Sequence, residues 1–136
     1  MAQKRILVVE DDDIIHITEE LELQRAGYGT RWTDATNVAW QYLEEGGDAL
    51  VILDVYKLRE RPWGPPVEYA GLELLRRLRS DPRFTKDKLL VIGTSQFLPD
   101  HGSTFRDIAL EEGVNEFVEI GQDDLVAKVN ELLGGP

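Results

Sequence analysis

Two short apolar runs end in carboxylates, and this constrains the chain more than any other feature. Ala49-Leu50-Val51-Ile52-Leu53 runs into Asp54, and Arg5-Ile6-Leu7-Val8-Val9 runs into Glu10-Asp11-Asp12-Asp13. A short apolar run without alternation fits a strand buried on both faces, as in a parallel sheet. An acid closing such a strand lies at the carboxyl edge of the sheet, where open α/β sheets place their ligands. Asp is also common where strands simply stop. The weight of Asp54 therefore depends on what the other strands end in.

The chain alternates strand and helix patterns five times. After the first run, Ile14, Ile15, Ile17, Leu21 and Ala26 are spaced for the inner face of a helix, with Asp12 or Asp13 as its cap and Gly27 as its stop. His16 falls on the polar side of that pattern. Tyr28 to Thr33 reads as a weaker strand. Thr33 or Asp34 caps a second helix through Val38, Ala39, Tyr42 and Leu43, with Trp40 off its apolar face, and Gly46-Gly47 ends it. A third helix follows from Gly71 to Arg79 with Leu72, Leu75 and Leu78 inward. The fourth strand, Lys88 to Gly93, ends in Thr94-Ser95, and the fourth helix spans Gly102 to Glu112. His101 falls in a turn. Val114 to Ile120 holds the fifth strand around Phe117 and Val118, and Leu125, Val126, Val129, Leu132 and Leu133 form the last helical stripe. The pattern predicts an α/β fold: a doubly wound, five-stranded parallel sheet of order 2-1-3-4-5, flavodoxin-like, with five helices on both faces. The 136 residues suit a single domain.

A net charge of −11 argues against a domain that holds nucleic acid by neutralising phosphates. No run approaches a membrane span, and no signal peptide is expected, since Met1 to Ile6 runs straight into a strand-like segment. The absence of cysteine excludes disulfides and fits the cytoplasm.

In the order 2-1-3-4-5, strands one, three and four lie side by side, so Glu10, Asp11, Asp54 and Thr94 converge. Three close carboxylates repel one another, and a hard divalent cation relieves that repulsion; Mg²⁺ takes oxygen ligands of this kind. A carboxylate beside such an ion can attack a phosphoryl group.

The sequence resembles the receiver domains of two-component response regulators, similar to the chemotaxis regulators. The resemblance rests on Ile6-Leu7-Val8-Val9-Glu10-Asp11-Asp12, Leu53-Asp54, Gly71-Leu72-Glu73-Leu74-Leu75, Ile92-Gly93-Thr94-Ser95 and Gly113-Val114-Asn115-Glu116-Phe117. It implies that Asp54 is the phosphoacceptor, that Mg²⁺ (or Mn²⁺) is held by Asp11, by Glu10 mainly through water, by Asp54 and by the backbone carbonyl of Tyr56, that Thr94 is the switch hydroxyl, and that Phe117 is the aromatic that follows it. Ordinary core packing is the other reading of Phe117. The implied partners are a histidine kinase or histidine phosphotransfer protein and a downstream protein, with self-association through the fourth helix, fifth strand and fifth helix. Such a domain assists its own phosphotransfer and dephosphorylation and is not a conventional enzyme.

Two departures stand out. The family's strand-five lysine and proline fall on Ile120 and Gly121, beside Glu119. The stretch from about 55 to 69 is long and holds Pro62, Trp63, Gly64, Pro65 and Pro66. Proline makes it stiff and extended. Its Lys57, Arg59 and Arg61 are expected to be solvated, with a fold-back of Lys57 toward the acids as the alternative. Trp63 is expected to fold down onto the domain, with a partner contact as the alternative. The missing lysine also raises a receiver-like interaction module that works without phosphorylation. A phosphohydrolase with an aspartyl nucleophile would need a second carboxylate where Tyr56 stands.

Overall fold

The computed structural model describes residues 3–96 and 102–136, without the side chains of 102–104. His101 lies outside the described residues. The chain folds as β1 (Arg5–Val9), α1 (Asp13–Arg25), β2 (Gly29–Thr33), α2 (Thr36–Glu45), β3 (Asp48–Asp54), β4 (Lys57–Arg59), β5 (Pro66–Glu68), α3 (Ala70–Arg79), β6 (Leu90–Gln96), α4 (Gly102–Glu112), β7 (Glu116–Ile120) and α5 (Leu125–Leu133). The main sheet has the order β2-β1-β3-β6-β7, and every pairing in it is parallel. With β4 and β5 set aside, this is the predicted order 2-1-3-4-5.

The apolar runs divide their side chains between two cores, as a strand period of two requires. Leu7, Val9, Val51, Leu53 and Val91 pack under α2, α3 and α4. Ile6, Val8, Leu50, Ile52 and Ile92 pack under α1 and α5, against Leu23, Leu125 and Val129. Each such buried side chain contributes roughly 1.5–3 kcal/mol relative to exposure. Among the described residues no helix is long and apolar enough to cross a membrane.

The first helix is rotated from its predicted setting. Ile14, Ile17 and Leu21 are exposed, whereas His16, Glu19 and Leu23 face the sheet. Apolar residues lie on both sides of α1, so periodicity alone does not set its phase. The Asp12 cap, which accepts from Ile15 N at 3.0 Å, and Leu23 in the core set it instead. At α2 neither Thr33 nor Asp34 caps. Ala35 occupies the cap position, Thr33 Oγ1 accepts from Ala35 N, and Asp34 pairs with Arg59.

The stretch after Asp54 is extended, as predicted, and is more regular than an open loop. β4 and β5 form an antiparallel hairpin with Leu58 opposite Val67. Leu58 is fully buried and anchors it. Arg59 N donates to Asp34 O at 3.0 Å, and Asn37 N donates to Glu60 O at 3.1 Å. Trp63 does not fold down. It lies beyond the last paired residues with a left-handed backbone (φ 64°) and is 99% exposed.

Candidate acidic site at the carboxyl edge of the sheet

Parallel register brings the predicted residues together. Val9 lies opposite Leu53, and Asp54 opposite Thr94, so the residues after β1 meet the end of β3. Carboxylate oxygens of Glu10, Asp11 and Asp54 all lie within 4.8 Å of one another. They line a pocket of about 370 Å³ together with Asp12, Tyr56, Lys57, Ser95, Gln96 and Phe105.

Backbone contacts hold the acids in place. Tyr56 N donates to Asp54 Oδ1 at 2.9 Å, and Asp12 N donates to Glu10 Oε1 at 3.2 Å. The start of α3 lies directly on the acceptor strand: a Cβ at Gly71 would stand 1.9 Å from Asp54 O. Only glycine permits that approach. The peptide hydrogen bond from Leu72 N to Val55 O follows it.

Glu10 and Asp54 are buried, at 3% and 8% exposure. Burial is the first cause that raises both carboxyls, and repulsion adds to it, from Asp54 on Glu10 and from Asp11 on Asp54. Asp11 is also raised by burial, and Arg59 and Lys57 oppose the rise. Glu10 Oε2 is buried without a hydrogen-bond partner among the described residues. Three carboxylates this close, one of them with an orphaned oxygen, fit a hard divalent cation.

Thr94 is fully buried, and neither its Oγ1 nor Ser95 Oγ has a hydrogen-bond partner among the described residues. Ser95, one residue on, lines the pocket, and the sequence reading had not singled it out. Phe117 is 1% exposed, opposite Gly93, inside the core shared with α3 and α4. β7 carries no lysine, and Ile120 faces a groove beside α1 and α5. Lys57 is exposed at the pocket wall, while Arg59 pairs with Asp34 at 3.2 Å.

Three further residues near the site carried no sequence signal of their role. Trp32 Nε1 donates to Glu10 O at 2.7 Å. His16, assigned from sequence to the polar side, stacks on Trp32 at 3.9 Å and lies 3.0 Å from Glu20 and 3.2 Å from Asp13. Glu19 is 6% exposed, and neither carboxylate oxygen has a partner among the described residues. A Glu in a helix reads as solvent-facing until the helix phase is known.

No protein-family model matches the chain. Chemotaxis protein CheY1 of Helicobacter pylori is 29% identical over 115 residues, 84% of this chain and 82% of that protein. Among solved structures, a response regulator of Chloroflexus aurantiacus superposes with a TM-score of 0.78 at 24% identity, covering 98% of this chain and 99% of that one. The receiver domain of sensor histidine kinase PA1611 of Pseudomonas aeruginosa, with a magnesium ion coordinated in its active-site cleft, superposes with a TM-score of 0.71 at 18% identity, covering 96% and 94%.

Proposed function

We propose, for a chain that is by sequence and fold a receiver domain of two-component response regulators, that Asp54 accepts a phosphoryl group in a cytoplasmic phosphorelay. The observation that carries this reading is the meeting of Glu10, Asp11 and Asp54 at the carboxyl edge, with Asp54 opposite Thr94. An Asp54 oxygen attacks the phosphorus of a phosphohistidine on a histidine kinase or phosphotransfer protein, and the bond from phosphorus to the imidazole nitrogen breaks. Asp11, Glu10, Asp54 and the Tyr56 carbonyl would hold Mg²⁺, which when bound offsets the negative charge that gathers there. The Tyr56 N–H already orients Asp54 through Oδ1. The buried Thr94 hydroxyl, without a partner among the described residues, is the donor for a phosphoryl oxygen arriving on Asp54. Phe117 and the α4–β7–α5 surface are the path to a downstream protein or a second copy. The domain assists its own phosphotransfer and dephosphorylation and is not a turnover enzyme.

The test is intact mass measurement after incubation with acetyl phosphate and Mg²⁺. The expected result is the added mass of one phosphoryl group, lost in Asp54→Asn and in the presence of a chelator. An unmodified wild-type chain would overturn the reading. One observation favours a second function, an interaction module that works without phosphorylation: Ile120 stands where the lysine that pairs with the phosphoryl group is expected. Equal partner binding by wild type and Asp54→Asn would establish it.

A further inference from the structure

The acidic pocket is unbalanced in charge. The carboxyls of Glu10, Asp11, Asp12 and Asp54 stand on its walls, and Lys57 is the one cation among the described residues that line it. The backbone ties Lys57 to Asp54. β4 begins at Lys57, and the Lys57 N–H acts on the Asp54 carboxyl as a hydrogen-bond donor beside that of Tyr56. The Lys57 side chain is uncommitted. It is exposed and forms no ion pair with a described residue. Glu68, its neighbour across the hairpin, is engaged by the Tyr56 hydroxyl. Arg59, the next cation along β4, is held by Asp34 at 3.2 Å and by its hydrogen bond to Gly64 O. β7 sends no cation to the pocket, since it ends in Glu119 and Ile120.

We propose that Lys57 is a further catalytic residue: its side chain closes over the mouth of the pocket and its ammonium pairs with an oxygen of the phosphoryl group on Asp54. The inference rests on Asp54 being the phosphoacceptor. The charge balance calls for such a group. Three carboxylates and one divalent cation leave a net negative charge at the site. A phosphoryl group brings about two negative charges more. In transfer from acetyl phosphate, an Asp54 oxygen forms the bond to phosphorus, the bond from phosphorus to the acetate oxygen breaks, and acetate leaves with that electron pair. No proton moves to or from Lys57, which acts by charge. A cation beside the oxygens where charge gathers favours the transfer. Lysine suits this position, because its ammonium is a compact charge with three donors on a flexible stem. It stays solvated while the pocket is empty and closes on an anion that arrives.

The test separates attraction to the anion from attraction to the metal, on which Lys57 acts with opposite sign. The probe is fluoroberyllate, a stable phosphoryl analogue, titrated into the full chain with saturating Mg²⁺ and followed by the amide NMR signals of Asp54 and Thr94. Mg²⁺ alone is titrated in parallel. Lys57→Gln should weaken fluoroberyllate binding about tenfold or more and leave Mg²⁺ binding equal or tighter. It should slow phosphorylation by acetyl phosphate by a similar factor. Lys57→Arg should stay within about threefold of wild type, and Arg61→Gln, which removes an exposed charge from the same hairpin, should match wild type. Unchanged fluoroberyllate binding in Lys57→Gln would overturn the proposal and leave the phosphoacceptor reading intact. Equal weakening of Mg²⁺ and fluoroberyllate in Lys57→Gln, or equal weakening of fluoroberyllate in Arg61→Gln, would also overturn it. A wild-type chain that binds no fluoroberyllate and takes no phosphoryl group would overturn both.

Discussion

Replacing Glu19 with glutamine is expected to stabilise the protein, and by more as the pH rises. Burial first, then Asp54, Glu22 and Glu20, push the Glu19 carboxyl from 4.5 up to about 8. A raised carboxyl binds its proton more tightly in the folded chain than in the unfolded one. Below pH 4.5 both states are protonated and Glu19 costs nothing through titration. Above it the unfolded chain ionises first and gains, so folded stability falls until the folded group ionises near 8. Each pH unit in that window is worth about 1.4 kcal/mol. At pH 7 the cost is about 3 kcal/mol, with an upper bound of about 5 kcal/mol at higher pH, from the interval between 4.5 and about 8. Domains of this size are stable by only about 5–15 kcal/mol, so the effect is large. Glutamine has nearly the same shape and no titration. The assay is urea unfolding of wild type and Glu19→Gln, followed by circular dichroism at pH 5, 7 and 8.5. The gap between the two should open with pH and level off above 8. A gap that stays constant, or one that closes as pH rises, would refute the reasoning.

The same physics applies to the acidic site, where burial raises Glu10 and Asp54. Mg²⁺ binding is therefore expected to tighten from pH 6 to pH 8 and to release protons, read by calorimetry in two buffers of different ionisation enthalpy; pH-independent affinity without proton release would contradict the assignment. Gly71→Ala should cost about 3 kcal/mol or more in urea unfolding and slow phosphorylation of Asp54, because its Cβ would overlap Asp54 O at 1.9 Å. Trp63→Ala should change stability by no more than about 0.5 kcal/mol, since the ring is 99% exposed. Leu58→Ala, at the buried root of the same hairpin, should cost about 2–5 kcal/mol in the same measurement.

By itself the sequence determined the parallel sheet, its order and the acids at its carboxyl edge. Unbroken apolar runs such as Val51-Ile52-Leu53 must be buried on both faces, and the residue that ends each run is fixed at the edge by strand length alone. Glu10, Asp11, Asp54 and Thr94 were legible for that reason. Only the tertiary structure decided which face of α1 turns inward. Ile14, Ile17 and Leu21 are as apolar as any core residue, yet Leu23, the Asp12 cap and the connections to β1 and β2 hold the helix so that they point outward. That rotation buries His16 against Trp32 and leaves Glu19 unpaired among the described residues. It was the tertiary structure, too, that raised the hairpin after Asp54 and left Trp63 uncovered. Helix phase and loop folding depend on what lies across the interface, and a local pattern of residue types holds no record of that.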